Sequence, residues 1–115
     1  MTGQGSLEEL TITIDDPPMT DAEYNETRAR FAADRRTAAM VGADMGQLWA
    51  YYKAVVATCE REQDAYDRAV AQRPAYAPQG QPTRSEAGAL AVVWAGRRWR
   101  RYVAETINRR LATAG

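Results

Sequence analysis

The chain of 115 residues carries 15 basic and 15 acidic side chains, a formal net charge of zero, and 45% hydrophobic residues, which suits one modest globular core and not a disordered segment. Histidine is absent and Cys59 is the only cysteine. This excludes histidine acid–base chemistry, Cys/His zinc sites and an intrachain disulfide. Arginine outnumbers lysine 14 to 1 and 22 residues are alanine, so the bulk propensity is helical.

Residues 1–6 are polar and glycine-rich, with neither the basic patch nor the apolar run of a signal peptide. Leu10-Thr11-Ile12-Thr13-Ile14 alternates with a period of two and predicts a short strand, ended by Asp15-Asp16-Pro17-Pro18. No second strand pattern follows. An isolated strand leaves its backbone groups unpaired, so residues 7–14 are expected as an extended arm. Such an arm pairs with a partner's sheet edge or a copy of itself, or lies along the helices.

The first predicted helix covers residues 20–41. Thr20-Asp21-Ala22-Glu23 has the spacing of a capping box, and Asp21, Glu23 and Glu26 suit the positive helix end. Tyr24, Phe31 and Ala38 share one face with Arg28 and Arg35 between them, so the apolar stripe is thin and the element is expected to strap across the others. Gly42 and Gly46 bracket a break, and Asp44-Met45-Gly46-Gln47 offers a second cap.

The second predicted helix covers residues 45–73 and ends before Pro74. Met45, Tyr52, Cys59 and Tyr66 form one seven-residue series, and Leu48, Val55, Glu62 and Ala69 form the other. Together they make a heptad-like seam interrupted by Glu62. Cys59 on that seam reads as a small buried hydrophobe and a reduced thiol. Residues 74–84 are a proline-spaced linker in which Tyr76 is a candidate anchor. Thr83-Arg84-Ser85-Glu86 then caps the third predicted helix, residues 85–112.

Projection of the third helix at ~100° per residue puts Val92, Val93, Gly96, Trp99, Val103, Ala104, Ile107 and Leu111 on one face. Arg97, Arg98, Arg101 and Arg109 fall on the other, with Trp94 at the boundary. Arg100 and Arg110 land on the apolar side and are expected to reach past the core edge on their aliphatic stems. An arginine face beside an indole suits a protein interface, and also phosphate binding with base stacking. It also suits simple pairing with Glu60, Asp64 and Asp67, spaced i, i+4, i+7 on the second helix. Those like charges repel mildly unless arginines from the third helix or from another copy offset them. The same carboxylates lack the convergent, pocketed setting of a catalytic pair.

Charge is polarised along the chain: residues 1–34 carry eight acidic and two basic groups, and residues 74–115 carry two acidic and seven basic. The ends either neutralise each other or leave the basic end for an anionic partner. The longest apolar run, residues 87–96, is ten residues, half of the ~20 that span a bilayer. A cytoplasmic chain without membrane contact is therefore expected.

The sequence thus predicts an all-α fold. Residues 1–19 form the arm, and residues 20–115 form one domain of three helices, with the second and third in a long antiparallel hairpin and the first laid across it. The expected function is a non-enzymatic, cofactor-free and metal-free interaction module: a small adaptor, inhibitor or assembly factor, of a kind frequent among accessory proteins of phages and mobile elements. Its expected partner is another protein, with self-association as a way to cover apolar surface left by so few helices. The candidate contact residues are Leu10, Ile12 and Ile14 on the arm, and Trp94, Arg97, Arg98, Arg101 and Arg109 on the third helix. A DNA- or RNA-binding regulator using the same arginines, and a structural subunit of a larger assembly such as a virion, are the alternatives.

Overall fold

The computed structural model describes residues 14–77 and 80–114, and four helices account for most of them: α1, Asp21–Arg30; α2, Arg35–Val41; α3, Met45–Ala71; and α4, Arg84–Ala114. No strand occurs among the described residues. Leu10 and Ile12 lie outside them, and Ile14 is half-buried in irregular chain. The all-α expectation holds, while the count of three helices does not.

The correction falls at residues 31–34. The helix expected over 20–41 stops at Phe31, whose backbone N–H reaches the carbonyls of Thr27 and Ala29. Asp34 then starts a new helix as an N-cap, its carboxylate accepting from the Arg36 backbone N–H at 2.8 Å. The Arg36 guanidinium closes on the same carboxylate through Nη2 at 2.8 Å. The N-terminal caps predicted at Thr20, Asp44 and Thr83 form, while the second predicted helix ends at Ala71 and the third runs Arg84–Ala114. Thr20 and Glu23 complete a reciprocal capping box. Asp44 and Gln47 exchange the equivalent pair at 2.8 and 2.9 Å. Thr83 Oγ1 accepts from the Glu86 N–H at the start of α4.

The chain divides into two compact units, a terminal one made of Met1–Ala54 with Arg101–Gly115 and a middle one of Val55–Arg100. In the terminal unit Met19, Met40, Leu48, Tyr52, Tyr102, Val103, Ala104 and Ile107 are buried. Burying a residue such as Leu48 or Ile107 stabilises by about 1.5–3 kcal/mol, whereas α1 buries no residue and is only 10 residues long. An isolated helix of that length is marginal in water, so the segments of α3 and α4 hold α1, and not the reverse. The Tyr102 ring receives Phe31 at 5.4 Å and Tyr24 at 5.9 Å between centroids. Burial pushes the Tyr102 phenol above its ordinary pKa, and Tyr24 adds to that shift.

In the middle unit Val55, Cys59, Val93 and Trp99 are buried. The two helical segments run antiparallel there: Arg73 pairs with Glu86 at 3.6 Å, and Arg97 reaches Gln63 at 2.8 Å. Glu62, which interrupts the sequence seam, is accommodated by a glycine. A methyl group on Gly96 would overlap Glu62 Oε1 and come within 3.5 Å of Cys59 Sγ. The expected anchoring of the linker by Tyr76 is not seen, since that ring is 90% exposed. Arg73 instead donates to the Gln81 carbonyl across the linker.

Candidate interaction surface

The arginines predicted to share one surface have different surroundings. Arg101 and Arg109 belong to the terminal unit and are engaged there. Arg101 donates through Nε to the Pro17 carbonyl at 3.1 Å and through Nη2 to the Pro18 carbonyl at 3.2 Å, and pairs with Glu23 at 3.3 Å. Arg109 pairs with Asp21 at 2.9 Å and with Glu105 at 3.2 Å, and its guanidinium lies 4.2 Å from the Tyr24 ring centroid. Glu105 is buried, and its other oxygen accepts from the Met19 backbone N–H at 3.0 Å. The acidic start of the chain and the basic end therefore meet in ion pairs inside one unit. The charge polarity of the sequence resolves in that way for these groups.

Arg110, expected only to reach past the core edge, donates to three carbonyls: Ala43 at 2.5 Å, Met40 at 2.6 Å and Val41 at 3.3 Å. It supplies the C-terminal cap of α2, where orphan carbonyls collect and a cation is favoured.

Trp94, Arg97 and Arg98 belong to the middle unit, and all three are exposed. Trp94 keeps 57% of its surface in solvent, whereas Trp99, five residues along the same helix, keeps 3%. The Arg97 guanidinium carbon stands 5.6 Å from the Trp94 ring centroid while Nη2 donates to Gln63 Oε1 at 2.8 Å. Gln63 Nε2 in turn donates to Asp67 Oδ1 at 3.1 Å. This short relay fixes Arg97 between an indole and an amide and sets the ridge of α4 beside the acidic row of α3. Glu60, Asp64 and Asp67 of that row are exposed. The expected direct pairing of ridge and row is replaced, for Arg97, by contact with the neutral Gln63 side chain.

Cys59, the chain's one cysteine, is a buried thiol on the α3 seam. Trp49 is half-buried and meets Tyr52 edge-on at 6.5 Å within the terminal unit. Among the described residues no group of three or more Cys, Asp or Glu side chains could hold a metal ion, and no helix is long and apolar enough to cross a membrane.

No protein-family model matches the chain. No curated protein and no solved structure matches it either.

Proposed function

We propose that the protein is a non-enzymatic interaction module that presents the Trp94–Arg97–Arg98 ridge of α4 to an acidic surface of a protein partner. The observation that carries this reading is the exposed Trp94 indole, braced by Arg97, on a helix that buries its other indole. Tryptophan and arginine dominate binding hot spots, because each offers a large contact area with a polar handle. A guanidinium already held by Gln63 loses less freedom on binding a carboxylate. The N-terminal segment carrying Leu10, Ile12 and Ile14 is proposed as a second contact, by strand addition to a partner's sheet edge; its support is the alternation in the sequence.

The test compares the intact chain with Trp94→Ala, with Arg98→Glu, and with a chain lacking residues 1–13. The truncation stops there because Asp16 accepts from the Tyr52 hydroxyl at 2.8 Å and must stay. Each protein is used to capture partners from the cells that encode it, with circular dichroism as the folding control. Loss of the same captured protein in both ridge variants supports the reading, and equal capture by all four proteins refutes it. Fluorescence polarisation with DNA and RNA at low salt runs in parallel. Binding that falls steeply with salt and is lost in Arg98→Glu would replace the protein reading with the nucleic-acid one.

A further inference from the structure

The ridge calls for an acidic surface, and the middle unit carries one of its own. Glu60, Asp64 and Asp67 stand exposed along α3, where like charges at i, i+4 and i+7 repel unless something offsets them. The relay from Arg97 through Gln63 to Asp67 places this row next to the ridge on the same face of the unit. The antiparallel register sets their heights. Gly96 lies against Glu62 and Arg97 reaches Gln63, so Arg97 and Arg98 are level with the middle of the acidic row.

We infer that this face is an isologous interface between two copies of the chain. The two-fold axis runs parallel to the middle-unit segments of α3 and α4, so each copy's Trp94–Arg97–Arg98 ridge covers the other's Glu60–Asp64–Asp67 row. A face with one basic and one acidic helix side by side admits two face-to-face dimers. An in-plane axis across the helices stacks ridge on ridge and row on row, which sets like charges together. The axis along the helices exchanges α3 and α4 while keeping every residue at its height, so opposite charges meet. Trp94, one turn before Arg98, then comes level with the stretch between Asp64 and Asp67, where its indole N–H has carboxylates to donate to. This inference rests on the reading of the ridge as a protein contact and names the partner as a second copy.

The test is sedimentation velocity on the full chain from micromolar to submillimolar concentration, at low and high salt. The expected particle has twice the chain mass of 12.8 kDa and dissociates as salt rises. Arg97→Glu with Arg98→Glu, or Asp64→Arg with Asp67→Arg, should each weaken the dimer by about a hundredfold or more, with helical content unchanged. An equimolar mixture of the two should restore the dimer, since every ridge then meets a row of opposite sign. A wild-type chain that stays monomeric throughout, or a dimer indifferent to both charge reversals, overturns the inference. If the wild type is monomeric and ridge variants still lose a different captured protein, only the self-partner falls. If the ridge variants change neither association nor capture, the ridge reading falls with it.

Discussion

Replacing Arg110 by methionine keeps an apolar stem of similar length and removes the three hydrogen bonds that cap α2. Hydrogen bonds from a charged donor are worth about 1.5–3 kcal/mol each when the acceptor is otherwise left bare. The three acceptors are not equally dependent on the guanidinium. Val41 is 75% exposed, so water can take over at its more distant carbonyl, 3.3 Å from Nη2. The Met40 carbonyl, held at 2.6 Å, also accepts from the backbone N–H groups of Gly42 and Ala43, so the half-buried Ala43 carbonyl, held at 2.5 Å, bears most of the loss. The expected net loss is about 2–3 kcal/mol, or a fall in Tm of about 8–12 °C for a chain of this size. Urea and thermal unfolding followed by circular dichroism measure it. Arg110→Lys should recover part of the loss, because one ammonium keeps the charge and not the fork. A loss below about 0.5 kcal/mol in Arg110→Met would show that α2 holds its place without this cap, and the reasoning would fail.

Two further outcomes follow from the geometry. Gly96→Ala should be neutral or stabilising by up to about 1 kcal/mol, because alanine favours the helix and the Glu62 carboxylate can swing into solvent; pairing it with Glu62→Ala should bring out the full gain in urea unfolding. A loss above about 1 kcal/mol would mean that the close approach at Gly96 involves more than a movable side-chain tip. In acid, Asp34 is held down to about 2 by its hydrogen bonds to Arg36, and Glu23 is lowered by its bond to the Thr20 backbone. A depressed carboxyl stabilises fully above its unfolded pKa, and that contribution is lost as pH falls through the folded value. For Asp34 the window is about pH 4 down to 2. Helical ellipticity should fall across it, and Asp34→Asn should flatten that limb while keeping a capping oxygen; an unchanged acid limb in Asp34→Asn would refute this assignment.

The elements legible in the sequence were those fixed by local rules. Capping boxes at Thr20, Asp44 and Thr83 depend on residues three apart, and all three formed contacts of that type. The heptad series marked Leu48, Tyr52, Val55 and Cys59 for burial, and each is buried. The break after α1 was not legible because Ala29, Ala32 and Ala33 favour a continuous helix, and Asp34 reads as one more charged surface residue. What decides the break is distant: Phe31 reaches the Tyr102 ring, and the chain restarts on Asp34 with Arg36. The burial of Tyr102 is not legible for a related reason. It sits among arginines in sequence, and only Tyr24 and Phe31, some seventy to eighty positions earlier, make its place an apolar one. The ridge was half legible. Projection separates Trp94 from Trp99, but it cannot show that Arg101 and Arg109 are bound to Glu23 and Asp21.

The tie between Met19 and Glu105 joins residues 86 positions apart, and that between Arg101 and Pro17 joins residues 84 apart. Together they impose an order of events at the ribosome. While synthesis is under way, α1 has no buried residue of its own and nothing yet to rest on. Its dock on α4 does not exist until Arg101, Tyr102, Glu105 and Arg109 have cleared the exit tunnel. Such late closure leaves α1 open to chaperones and proteases until those residues emerge. A stop codon placed before Tyr102 would release a product whose opening helices never find their seat.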